Sequence, residues 1–221
     1  MLHSARMNTV PVIPILFESA ELLAVAKPVG IATIHEQGSA LNVHELLQSG
    51  CARKLYIIHR LDKEVSGILV FAKNAAVHRR LNMQFASREV RKTYRALVQG
   101  KVEFDSGRID FPLREFGSGR VAVDPERGKP SVTEYHVLHR TPCTSLLELM
   151  PHTGRRHQLR AHLYALGHPI VGDLRYGQRS LQEASPRLML HAWRIEFPAS
   201  EELGGDPVDL ESSLPEALTL P

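Results

Sequence analysis

Three features of this 221-residue sequence are compatible with an α+β fold. Short runs of strand composition recur along its length, helical stripes are few and short, and no internal repeat, heptad run or low-complexity linker divides it. With 43% apolar and 23% charged residues, the chain can bury a sizeable core and has the balance of an ordinary globular protein. Its longest apolar runs fall far short of the roughly 20 residues needed to span a bilayer. The opening MLHSARMNTVPVIP has no signal-peptide core, so a cytoplasmic location is expected. Residues 1–14 read as an N-terminal extension, 15–198 as one domain and 199–221 as an acidic tail.

Taken in order, ILF, ESAE and LLAVAKP from Ile15 onward make two apolar runs about a polar turn, a hairpin ending at Pro28 and Gly30. After the polar linker IHEQGSA, Asn42 caps a short helix with Glu45 three residues on, an apolar stripe of Val43, Leu46 and Leu47, and a stop at Gly50. Tyr56 to Ile58 and Gly67 to Lys73 have strand composition, and HRLDKEVSG connects them. Asn74 then caps a second helix whose core face is Val77, Leu81 and Phe85, leaving Arg79, Arg80 and Arg88 outside. In RKTYRALVQG, alternation places Lys92, Tyr94, Ala96 and Val98 on one face of a strand.

Residues 100–130 read as hairpins, with strand-like pieces at Arg108 to Phe111 and Arg120 to Val123. Ser131 to Leu138 and Ser145 to Met150 form a pair of strands about HRTPCT. Leu159, Leu163 and Leu166 mark a third helix that stops at Gly167, with Arg156 and Arg160 four apart beside the stripe. Cys51 and Cys143 show no CxxC spacing and read as small, partly buried residues.

Two segments carry candidate chemistry. The turn HRLDKEVSG sets a carboxylate, Asp62, among basic groups at a strand end, where catalytic groups tend to sit. A surface turn in which Asp62 pairs with Lys63 is the structural alternative. PHTGRRHQLRAHLYALGHPIVGD is the other segment. A guanidinium beside an apolar stripe needs an anionic partner, either a carboxylate such as Asp62 or a ligand phosphate. Tyr94 can be a core aromatic or a functional one.

All 27 Lys and Arg but only 17 of the 24 acids lie in residues 1–195, a net charge of +10 there. Arg79, Arg80, Arg88, Arg91, Lys92 and Arg95 form one concentration, and Arg155, Arg156, Arg160, Arg175 and Arg179 another, each against one acid. This asymmetry points to a polyanion partner, with a solvated basic face as the bland reading. Four histidines between His152 and His168 invite a metal reading, yet His157 and His162 are five apart and no HExxH occurs, which argues against a site. No phosphate-binding glycine loop is present, so no cofactor is implied.

Together these segments resemble the RluA-type pseudouridine synthases, which isomerise uridine to pseudouridine in structured RNA. HRLDKEVSG resembles the family's HRLDxxTSG motif, RKTYRALVQG its K-x-Y-x-A motif, and LMPHTGRRHQLRAHLYALGHPIVGDLRYG its third motif. LLAVAKPVG and PRLMLHAW resemble its first motif and closing strand, so the likeness runs in order from about Ile15 to Phe197. It implies a mixed, largely antiparallel central sheet flanked by helices and loops, with the active site in a central cleft. It implies catalytic roles for Asp62, for Tyr94 against the target base, and for Arg160 as the aspartate's partner. Arg60, Lys92, Arg155, Arg156 and His157 are expected to contact RNA. The implied partner is a ribosomal or transfer RNA stem-loop, with no metal, no cofactor, no membrane and no obligatory protein partner. An extruded base wants an aromatic platform, which suits Tyr94.

The sequence departs from the pattern at Val65, Ala26 and Arg156. With the first motif near residue 15, no S4 RNA-binding domain is expected, and the basic surface of the catalytic domain is expected to do most of the gripping of RNA. A non-catalytic RNA-binding or RNA-folding protein on the same scaffold is the alternative from another class.

Overall fold

The computed structural model describes residues 11–35 and 41–220. Most of IHEQGSA and of the N-terminal extension lies outside the described residues. The strands are β1 (Ile15–Glu18), β2 (Leu22–Lys27), β3 (Tyr56–Ile57), β4 (Ser66–Ala72), β5 (Arg91–Gln99), β6 (Ser106–Ile109), β7 (Leu113–Glu115), β8 (Val121–Val123), β9 (Thr133–Arg140), β10 (Thr144–Pro151), β11 (Leu190–Phe197) and β12 (Val208–Glu211). The helices are α1 (Val43–Ser49), α2 (Ala75–Ala86), α3 (Gln158–Ala165) and the single turn α4 (Arg179–Gln182). Among the described residues, no helix is long and apolar enough to cross a membrane.

Among the described residues, ten strands form one sheet in the order β1-β2-β4-β11-β5-β10-β9-β6, with β12 added to β11 and β3 to β4. Every pairing is antiparallel except that of β4 with β11, so the sheet is mixed and largely antiparallel as expected. That parallel contact is made by Ser66 and Gly67, the last two residues of HRLDKEVSG. It depends on Gly67, where φ is +117° and a Cβ would overlap the backbone of Ala192. The hairpin of β7 and β8 stands apart as a second, two-stranded sheet.

Helices on both faces explain why β2 and β4 read as unbroken apolar runs instead of alternations. Leu23, Val25, Leu69 and Phe71 pack with Val43 of α1, whereas Leu22, Ala24, Ile68 and Val70 pack with Val77 and Leu81 of α2. Burying each such Leu or Ile contributes roughly 1.5–3 kcal/mol. Asn42 and Asn74 cap α1 and α2 as their positions predict, accepting the backbone N–H of Glu45 and Val77, each at 2.9 Å. A larger cluster under β5, β10 and β11 holds Ala96, Val98, Leu147, Leu149, Leu159 and Leu163.

Three expectations are corrected. The acidic segment read as a tail is built into the sheet: β12 pairs with β11, and Leu218 is fully buried in the main core. VDLE alternates cleanly, with Val208 and Leu210 packed inward and Asp209 and Glu211 facing Arg194, but its charge masked the strand period. Arg156 is not on α3, because the helix begins only at Gln158. Cys143 is exposed, whereas Cys51 is partly buried.

One buried group gives the fold a pH dependence. His191 is 4% exposed, its Nδ1 lies 2.7 Å from the Ser66 hydroxyl, and burial, aided by the Arg187 charge, pushes its pKa down to about 4. The unfolded imidazole takes up a proton near pH 6.5 and the folded one only near 4, so stability falls as pH drops through that window. At pH 5 the loss from this group is about 2 kcal/mol. Urea unfolding at pH 7 and pH 5 should show that loss shrinking in His191→Gln; an equal pH dependence in both proteins would refute the assignment.

Candidate active site

The turn that carries Asp62 is held from both sides by the end of β2 and the segment that follows it. Buried Thr33 serves Leu61 as a strand neighbour would, accepting its N–H at 3.1 Å and donating to its carbonyl at 2.9 Å. The Lys63 carbonyl accepts from Gly30 N–H at 2.9 Å and from the buried Lys27 ammonium at 3.2 Å. Val65 closes the turn onto the Asp62 carbonyl at 3.0 Å and is itself buried in the main core, so an apolar side chain suits that departure from the family pattern. Asp62 is thereby presented, with its side chain one-quarter exposed, to a cleft of about 780 Å³.

All eight site residues expected from the sequence line this cleft: Asp62, Tyr94, Arg160, Arg60, Lys92, Arg155, Arg156 and His157. Asp62 and Arg160, 98 residues apart in sequence, meet with Nη1 3.2 Å from Oδ2. The arginine is 3% exposed and held bidentately by Asp173, through Nε at 2.7 Å and Nη2 at 2.8 Å. Its Nη1 also lies 3.3 Å from Glu64. Burial works against the Arg160 charge, but the Asp173 hydrogen bonds and the charges of Asp173, Asp62 and Glu64 outweigh it, so the guanidinium holds its proton more tightly than usual.

Around this pair, burial and then the Asp62 charge push the Tyr94 hydroxyl well above the ordinary tyrosine range. It therefore offers a ring face and a neutral O–H, not a phenolate. His59 is pushed down to about 3 by burial and by Lys92; neutral, it accepts the Val70 N–H at 3.1 Å and stacks on Phe85. Lys92 lies over the other side of the site with Nζ 5.8 Å from the Phe85 centroid, and burial lowers its pKa. Among the described residues no carboxylate lies within salt-bridge distance of Lys92, Arg60 or Arg155. Arg156 is instead paired with Glu115 of β7, away from Asp62.

The histidines of the third motif turn to separate tasks. His162 is sealed between Thr133 and the Phe111 carbonyl, at 3.0 Å each, His168 meets the Gln99 carbonyl, and His152 meets Glu134. Sequence reasoning missed Lys27, Thr33, Asp173 and Tyr176. Two of these left a signal: Lys27 ends an apolar strand run, and Asp173 is the single acid within the second basic cluster.

A mixed sheet opening on a basic cleft, with a carboxylate on its floor and an aromatic ring beside it, is the layout of an enzyme that works on nucleic acid. The chain belongs to the RNA pseudouridine synthase family, of the RluA type: the family model described as RNA pseudouridylate synthase matches residues 21–165. It is 38% identical over 212 residues to an uncharacterized RNA pseudouridine synthase of Zymomonas mobilis, covering 93% of this chain and 95% of that one. It is 41% identical over 199 residues to the dual-specificity RNA pseudouridine synthase RluA of Vibrio vulnificus, covering 86% and 79%. Its fold matches the structure of human RNA pseudouridylate synthase domain containing 1 with a TM-score of 0.81 at 30% identity, covering 97% of this chain and 89% of that one.

Proposed function

We propose that Asp62 is the catalytic carboxylate of a uridine isomerase acting on stem-loops of ribosomal RNA, transfer RNA or both. The observation that carries this reading is the 3.2 Å contact between Asp62 and the buried Arg160 on the floor of the cleft. Pseudouridine formation detaches the base, turns it and rejoins it through carbon, so the base must be extruded and kept in place throughout. Tyr94 supplies the platform, and Asp62 faces the ribose and base as nucleophile or base. Relatives named as a ribosomal large subunit pseudouridine synthase, of Vibrio cholerae, and a tRNA pseudouridine synthase, of Pasteurella multocida, support a substrate range that includes both kinds of RNA. The enzyme acts in the cytoplasm, without an obligatory protein partner and without metal or organic cofactor.

The test is to incubate the protein with bulk RNA from a strain lacking its gene and to map pseudouridine. New pseudouridine in ribosomal or transfer RNA stem-loops is expected; unchanged RNA across conditions would overturn the assignment. The exposed Arg60, Arg155 and Arg156 and the half-buried Lys92 are assigned to the RNA backbone. For Lys92→Met the slope of log affinity against log salt should shrink by about 0.7 to 0.9, one phosphate contact, read from binding titrations at several salt concentrations. An unchanged slope would remove Lys92 from the contact set.

A further inference from the structure

His157 stands at the start of α3 with φ +50°, a left-handed conformation that among the described non-glycine residues only Arg88 shares. Such a backbone is uncommon for a residue with a side chain and persists where the surroundings impose it. Here it turns the ring inward. The side chain is 7% exposed, with Nε2 3.8 Å from Asp62 Oδ2 and Nδ1 3.0 Å from the hydroxyl of Tyr176.

Tyr176 decides which ring nitrogen carries the proton. It is 1% exposed, and its oxygen already accepts the Val121 N–H at 2.9 Å. Among the described residues the hydroxyl proton has no other acceptor than His157 Nδ1. The ring proton therefore sits on Nε2, the nitrogen facing Asp62. Burial lowers the His157 pKa, with the Arg160, Arg156 and Arg175 charges acting the same way against the pull of Asp62. The imidazole is thus a neutral donor and not a further cation on the carboxylate.

We propose that His157, with its tautomer set by Tyr176, is a positioning residue for Asp62, which rests on the reading of Asp62 as the catalytic carboxylate. Arg160 Nη1 and His157 Nε2 approach the same oxygen, Oδ2. Oδ1 is thereby left as the oxygen presented to the substrate. At 3.8 Å the His157 contact is longer than a hydrogen bond. An inward shift of about 1 Å on RNA binding closes it, as catalytic hydrogen bonds commonly do when the substrate arrives.

The experiment compares Asp62→Asn, His157→Leu, His157→Gln, Tyr176→Phe and the His157→Leu/Tyr176→Phe double variant, measuring single-turnover rate at saturating RNA and affinity at fixed salt. His157→Leu should lower the rate about tenfold and Tyr176→Phe about threefold, both with affinity within about twofold of the parent. Glutamine, whose amide nitrogen can reach toward the Nε2 position, should restore most of the loss at position 157. Because Tyr176 does not line the cleft, its effect cannot come from contact with RNA. The double variant should match His157→Leu alone, since both changes act through one donor. Multiplying effects would show that Tyr176 acts through the β7–β8 hairpin and would overturn the proposal. So would a weakened affinity with unchanged rate, or no rescue by glutamine. If His157→Leu does not fold, Tyr176→Phe decides alone, and an unaltered rate refutes the link. An active Asp62→Asn variant would sink the site reading itself; an inactive one beside unaffected His157 and Tyr176 variants would sink only this inference.

Discussion

Asp62→Asn is expected to lose at least about 10³-fold in turnover while keeping RNA affinity and stability close to those of the parent enzyme. The structure explains why the two effects separate. Arg160 does not depend on Asp62 for its charge balance, because both oxygens of Asp173 already hold it and Glu64 lies 3.3 Å from Nη1. Removing the charge at position 62 therefore leaves no orphaned guanidinium. The turn itself is fixed through backbone groups by Thr33, Gly30 and Lys27, none of which senses the side chain of residue 62. Single-turnover pseudouridine formation and filter binding at one salt concentration give the two readings. A variant retaining more than a tenth of the parental rate would exclude Asp62 as the reacting group, and lost affinity would mean that the carboxylate helps shape the RNA site.

The same contacts show how much of the molecule was legible in the sequence. Local signals served well: Asn42 and Asn74 cap the helices they precede, and alternation in RKTYRALVQG puts Lys92 and Tyr94 on the face that lines the cleft. What failed was long-range or backbone-dependent. The parallel pairing of β4 with β11 joins segments with most of the chain between them, and its enabling feature is the bare Cα of Gly67, which gives no periodic signal. The left-handed turn at His157 delays α3 and so removes Arg156 from the helix, although the four-residue spacing of Arg156 and Arg160 suggested a shared face. In β12 the acids that looked like a tail are balanced by Arg194 across the strand pair, a partner that appears once the sheet is assembled. Asp173 belongs to the same class, being a lone acid in a basic stretch whose role depends on where α3 carries Arg160.

Asp173→Ala is expected to be costly in two separable ways. Asp173 is fully buried, and besides the two guanidinium bonds it accepts the backbone N–H groups of Arg175 and Tyr176 at 3.0 and 3.1 Å. Truncating it strands a 3%-exposed guanidinium with only the partly exposed Asp62 and Glu64 for company. Breaking a buried ion pair from one side costs about 3–5 kcal/mol, far more than an exposed pair would. The second loss is geometric. Without the bidentate clamp, Arg160 is free to swing toward Asp62 and Glu64, trading a fixed contact at one carboxylate oxygen for a variable one. Mispositioning of this kind is worth about 10²-fold in rate. Urea unfolding measures the first effect, and the single-turnover rate, corrected for the fraction folded, measures the second. A corrected rate equal to the parent's would mean that Asp173 supports the fold alone and that Asp62 tolerates a mobile arginine. A corrected rate near that of Arg160→Met would mean that the two residues act as one unit, with the buried Asp173 setting the position from which the arginine orients Asp62.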